Sequence, residues 1–299
     1  MRRPGSLAEL TIVWAMYAAT AAAILVTYSR SPVSELYHVT GTGFAAGAGR
    51  ALVFLNFSTA LAAIAIVLVL LDRLEMRTER ALAVLAIVLC GAVFWPGVVK
   101  QSDLDARPVN AIAAVGVLLA FVLTLRAGGR ALVAKLERRR WDPLRIAASV
   151  LLVVLGLPWI AAELGFSFDG VPVLGTVYQT GELRTQPGDP VFHLAVHHGH
   201  HHGLDGILLV ATALVLSRLV PSIRRRALRG ALGAYLALLG CYGVGNIAND
   251  FWLEQVTKRG WTLWEIPDVT TPKASTAWAL VLIAAIVLSM LLVAPLVRD

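Results

Sequence analysis

An all-α, polytopic helical membrane protein, with about eight transmembrane helices and structured extracytoplasmic loops, is the fold class the sequence predicts, and three observations predict it. The 299 residues are 58% hydrophobic and only 15% charged, too little polar surface to cover a water-soluble domain of this size. The apolar residues gather in runs of about 20, the length that crosses a hydrocarbon layer roughly 30 Å thick. Lys and Arg gather between alternate runs, the pattern of a chain crossing repeatedly under the positive-inside rule. Transmembrane strands do not fit, because the runs are continuously apolar rather than alternating.

The spans are expected near residues 8–28, 51–71, 81–99, 109–126, 145–165, 203–220, 230–249 and 276–297. The first follows "MRRPGS" and contains "AATAAA", features of a signal peptide, but its apolar stretch exceeds the usual signal core, so a retained anchor is expected. Arg2, Arg3, the segments "DRLEMRTER", "RAGGRALVAKLERRRWDPLR" and "SRLVPSIRRRALRG", and Arg298 together hold 18 of the 26 Lys and Arg residues. Placing that side inward puts the protein in the cell membrane with both termini cytoplasmic. The net charge of +7 then reflects topology and anionic lipid at the inner face. Nucleic acid is not an expected partner, since the basic loops are short and carry no reading motif. The lipid bilayer is.

The sequence detail lies in the outward loops. The loop from Phe166 to Gly203 opens with "DGVPVLGTVYQTGELRTQPGDP", whose β-branched residues and turn formers give a weak hairpin signal. "WLEQVTKRGWTLWEIP", within the loop 250–275, predicts a cap lying on the membrane surface. Six of the eight tryptophans, Trp95, Trp159, Trp252, Trp261, Trp264 and Trp278, fall near this face, partly as an interfacial belt. The chain shows no fixed-period repeat and no low-complexity linker, so a single membrane domain over 1–299 is expected.

"HLAVHHGHHHGLDG", His193 to Gly206, holds six of the seven histidines. Asp189 followed by Pro190 predicts a helix start, Asp capping free amides and Pro taking the first helical position. A helix from Pro190 to Leu219 would be about 45 Å long, so its first turns would stand outside the hydrocarbon. At about 100° per residue, His198, His201 and Asp205 fall within an arc of about 60°, with His197 and His202 flanking it and His193 and His200 pointing elsewhere. Two imidazoles and a carboxylate on one face suit a divalent transition metal, zinc above all. Against this stand Gly199 and Gly203, each costing a helix about 1 kcal/mol relative to Ala; in an irregular loop the angular argument lapses and the tract is simply solvated.

Asp205, at the head of an apolar span, is expected to have a partner: a bound cation, a protonated histidine, or a group on a neighbouring helix. Glu163 and the group Asn246, Asn249 and Asp250, spaced i, i+3, i+4 on one helix face, are the candidates at matching depth. Beside a zinc-bound water, Asp250 or Glu163 would serve as the general base or as a further ligand.

The spacing His193-x-x-x-His197 and His198-x-x-His201-His202 resembles two histidine boxes of membrane fatty-acid desaturases and hydroxylases over ten residues. That family spreads its boxes along the chain at the cytoplasmic face, whereas here only His38 lies elsewhere, so a di-iron function is not carried over. Asp103-Leu104-Asp105 resembles the Asp-x-Asp element of glycosyltransferases; a solvated turn before Pro108 is the expected reading. "GTGFAAGAG" lacks the Lys-Ser/Thr ending of a phosphate loop, so close helix packing or a re-entrant turn is expected there. Cys90 and Cys241 are expected as small apolar packers, and Pro158 as a kink in the fifth span. Three functions follow: a metal-dependent membrane enzyme acting on a lipid or lipid-linked substrate, a metal acquisition or transport protein, or a scaffold whose histidines bind nothing specific. The near absence of carboxylates and histidines from the inner halves of the spans weighs against a permease.

Overall fold

The structure is a computed structural model that describes residues 7–31, 41–95, 106–165, 172, 183–186, 189–194, 202–270 and 274–293. Its helices are α1 (Ala8–Arg30), α2 (Gly43–Phe54) running through a π turn (Leu55–Thr59) into α3 (Ala60–Leu71), α4 (Arg77–Gly91), α5 (Asn110–Gly128), α6 (Asp142–Glu163), α7 (His202–Ser217), α8 (Arg226–Trp252) running into a second π turn (Leu253–Thr257), and α9 (Thr276–Val293). Six stretches are long and apolar enough to cross a membrane: Ala8–Arg30, Gly43–Leu71, Asn110–Gly128, Asp142–Ala161, His202–Ser222 and Arg226–Thr257. Thr276–Leu291 is a shorter apolar helix, and α4 spans 15 residues.

The helix α3 lies in the middle. Almost every residue from Ala60 to Leu70 is buried, as expected of a helix apolar all round, and α4, α5, α7 and α8 pack around it. By contrast α6 and α9 leave apolar residues such as Leu144, Val150, Val154, Ile283 and Val287 exposed, the surface a bilayer covers. Small residues set the closest approaches: Gly47 brings α2 onto α1 at Leu25 and Ser29, and Gly206 meets Gly243 where α7 crosses α8. Of the two readings of "GTGFAAGAG", close helix packing is the one observed over Gly43–Gly49.

Two ion-pair groups tie the bundle at the end opposite the start of α7. Arg218, at the foot of α7, donates from Nε to Glu9 of α1 at 3.0 Å and pairs with Asp142 of α6, which also receives Arg145 at 3.1 Å. Asp72, just past α3, accepts the backbone N–H groups of Arg224 and Arg225 at 3.1 Å each, satisfying donors ahead of α8 that no helical carbonyl reaches. Burial alone would raise the Asp72 carboxyl; these hydrogen bonds and the Arg224 guanidinium outweigh it and hold the group below its ordinary range.

Two expectations about the long loop need correction. The chain from Asp189 and Pro190 does not begin a helix: Asp189–Leu194 is a strand, β2, antiparallel to β1 (Leu183–Gln186), with Gln186 opposite Asp189 and Leu183 opposite Leu194. Asp189 and Pro190, which suggested a helix start, instead open β2, so the weak hairpin signal holds at its C-terminal end. The helix begins only at His202, which removes the basis for placing His197, His198 and His201 on one helical face with Asp205. Those three residues, with His38, His200 and Asp103 to Asp105, lie outside the described residues.

Candidate functional site

A polar centre occupies the end of the bundle where α7 begins, and five segments build it. Gly203 donates its backbone N–H to Asp250 Oδ2 of α8 at 3.0 Å, so Asp250 caps the free N-terminus of α7, where the helix dipole favours a carboxylate. Gly203 has no side chain because Trp159 of α6 fills that space; the same indole lies against Asp250. One turn beyond Trp159, Glu163 is buried, and its backbone carbonyl accepts the Thr27 hydroxyl of α1 at 2.6 Å. Gly165, with φ of 76°, then turns the chain out of α6.

Arg50 enters from α2, 4% exposed, with its guanidinium 6.0 Å from the Tyr28 ring centre. Its charge acts on Glu163, Asp205 and His202. Asp205, one turn into α7, is 6% exposed; the Ser58 hydroxyl, from the π turn in the Gly43–Leu71 span, lies against it, and Tyr17, bonded to Thr212 at 3.5 Å, feels its charge. Asn246 is fully buried and donates from Nδ2 to the Tyr242 carbonyl at 2.9 Å.

Of the residues singled out in the sequence, Glu163, Asp205, Asn246 and Asp250 are thus brought to one centre. Asn249 is not: it bonds the Pro267 carbonyl at 3.3 Å and the Val269 N–H at 2.7 Å, clamping the following loop to α8. That loop, called the cap below, folds back onto α8. Trp252 donates to the Trp264 carbonyl at 2.8 Å with the two rings edge to face, Tyr242 donates to the Thr270 carbonyl at 3.0 Å, and Lys258 pairs with Glu254 at 2.6 Å. Trp261, Leu263 and Trp264 stay exposed. His202 sits between centre and cap, within electrostatic reach of Arg50, Asp268 and Glu254.

Sequence reasoning missed Arg50 and the polar π turn. Arg50 reads as the last residue of an outward loop, and Asn56, Ser58 and Thr59 as minor interruptions of an apolar run; a lone guanidinium followed by three polar residues in one span was the available signal. Among the described residues, no group of three His, Cys, Asp or Glu side chains is placed to hold a metal ion. Cys90 and Cys241 are free, Cys90 packing against Gly116.

Comparison of the chain with protein-family models, curated proteins and solved structures finds no match. The argument for function therefore rests on the centre's own chemistry: three buried carboxylates and one buried guanidinium that acts on two of them, in an apolar bundle where an uncompensated charge costs several kcal/mol.

Proposed function

We propose that the chain is an eight-span membrane protein, α4 and α9 completing the six longer spans, that binds a divalent transition metal at its extracytoplasmic face. The imidazoles of His197, His198, His201 and His202 are the donors, a set that suits zinc. On this reading the chain is a metal-dependent enzyme working on a lipid or lipid-linked substrate at the bilayer surface. Glu163 or Asp250 would serve as the general base for a metal-bound water or as a further ligand. The observation that carries this reading is the attachment of the tract to the acidic centre: the residue after His202 is held by Asp250 itself. Asp205, expected among the ligands, lies against the Ser58 hydroxyl, and we assign it a separate role below.

A second reading, metal acquisition or transport, draws support from the Asp205, Tyr17 and Thr212 series, which continues the polar centre inward along α1 and α7. A scaffold role would leave the centre without a bound cation. The test is the metal content of protein purified without immobilised-metal resin. The expected result is close to one zinc per chain, lost when His197, His198, His201 and His202 are replaced together by alanine; metal content unchanged in that variant would overturn the proposed ligand set. Glu163→Gln and Asp250→Asn should keep the metal. Turnover of a lipid-linked substrate that these two abolish would then mark the enzyme.

A further inference from the structure

Asp205 and Asn246 each bury an oxygen, Oδ1 in both, that has no hydrogen-bond partner among the described residues. A buried acceptor left in this state is costly, and here two occur together. Their proximity follows from the crossing of α7 and α8. Gly206 lies against Gly243 and Ile247, which brings the preceding residue, Asp205, beside the turn of Asn246. The Tyr242 hydroxyl accordingly feels both the Asn246 amide and the Asp205 charge. Across from them, Phe57 packs edge-on against Tyr242 with ring centres 6.3 Å apart, and the hydroxyl of the next residue, Ser58, lies against Asp205. The amide orientation of Asn246 is fixed by chemistry: Nδ2 must face the Tyr242 carbonyl, an acceptor, so Oδ1 faces the junction.

We propose that this junction binds one hard monovalent cation, sodium, through Asp205 Oδ1, Asn246 Oδ1 and the Ser58 hydroxyl. Every donor is oxygen, which selects a hard ion over zinc or copper. The charge balance favours a single positive charge: Arg50 acts on both Glu163 and Asp205 and the N-terminus of α7 meets Asp250, so three carboxylates share one guanidinium and one helix end. The π turn supplies a further oxygen. Such turns interrupt the regular ladder of a helix and recur at functional sites, and the Phe54 carbonyl at its head meets the Ser58 hydroxyl only at 3.5 Å, the long limit of a hydrogen bond. Irregular backbone of this kind, inside a span and buried in protein, is how membrane proteins present carbonyls to alkali ions.

This proposal goes beyond the histidine reading and stands without it, and its test uses protein stripped of divalent ions by EDTA. Thermal unfolding of the full chain in detergent is followed while sodium chloride replaces choline chloride at constant ionic strength, and radioactive sodium binding is counted in parallel. The expected result is a saturable rise in melting temperature with one sodium bound per chain. Asp205→Asn should abolish both, and melt higher than wild type in choline because the uncompensated charge is gone. Asn246→Ala should weaken sodium binding at least tenfold with melting in choline little changed, a readout that survives if Asp205→Asn fails to fold. His201→Ala should keep the full sodium response, so failure of the histidine reading would leave this result standing. The proposal is overturned by equal melting in sodium and choline, by a response to calcium or zinc alone, by stabilisation that follows pH but not sodium, or by a sodium response that both variants retain.

Discussion

The crossing of α7 over α8 at Gly206 and Gly243 holds the polar centre together, and Gly206→Ala tests that directly. A Cβ at Gly206 would lie 2.5 Å from the Gly243 carbonyl oxygen, 2.8 Å from Ile247 Cγ1 and 3.0 Å from the Ile247 nitrogen. Ordinary contact begins near 3.4 Å, so the helices must part by about 0.9 Å. Two of the three atoms are backbone and cannot swing aside. Overpacking of this kind costs about 1–3 kcal/mol, set against a gain of up to about 1 kcal/mol from replacing glycine within a helix. Gly240→Ala isolates the gain, since its nearest neighbour, the Ala213 Cβ, is already at 3.5 Å. In thermal or denaturant unfolding in detergent, Gly206→Ala should be less stable than wild type and Gly240→Ala equal or more stable. Separation of α7 from α8 should also weaken any cation held at the centre. Gly206→Ala unfolding at or above wild type, alongside Gly240→Ala, would refute the close crossing.

Asp72→Asn removes the charge that holds the N–H groups ahead of α8 and should cost about 2 kcal/mol at neutral pH, since hydrogen bonds to charged groups contribute about 1.5–3 kcal/mol. Because the folded Asp72 carboxyl lies below its unfolded value, its contribution is complete above the unfolded pKa, near 3.9, and disappears as pH falls through the folded pKa; unfolding free energies of wild type and variant should therefore converge in acid. Arg218→Met leaves Glu9 and Asp142 facing one another without their shared cation and should cost about 3–5 kcal/mol, visible in denaturant unfolding, with Glu9→Gln partly restoring it. Trp264→Ala removes an edge-to-face ring pair contributing about 0.5–1.5 kcal/mol, and should speed tryptic cleavage at Lys258 and Arg259 in the cap without shifting global melting.

The long helices were legible because the hydrocarbon thickness imposes a run length that survives any packing arrangement, and the six longest stretches fall on six of the expected spans. The carboxylates Glu163, Asp205 and Asp250 were legible for a related reason: each sits where an apolar run makes a charge costly, so each must be compensated. Arg50 was not, because small residues before it, Gly43 to Gly49, mimic a loop while actually letting α2 pack against α1. The start of α7 was not either. Asp189 and Pro190 suit a helix N-terminus and a β-hairpin equally in local chemistry, and pairing with Leu183–Gln186, a partner outside any local window, decides for the strand. Asn249 shares a face with Asn246 and Asp250 by spacing, yet the returning loop claims it, a tertiary contact that periodicity does not encode.

The central claim is that the polar centre and its histidine tract open to the outside of the cell. It is tested most directly by thiol accessibility in a chain whose Cys90 and Cys241 are replaced by alanine. Leu263, 99% exposed in the cap, is changed to cysteine in one variant and Arg140, in the basic segment before α6, in another. A membrane-impermeant maleimide applied to intact cells should label Leu263→Cys at once, and Arg140→Cys only after the membrane is opened. Labelling of Arg140→Cys in intact cells, with Leu263→Cys protected until lysis, would place the centre on the cytoplasmic side and contradict the account.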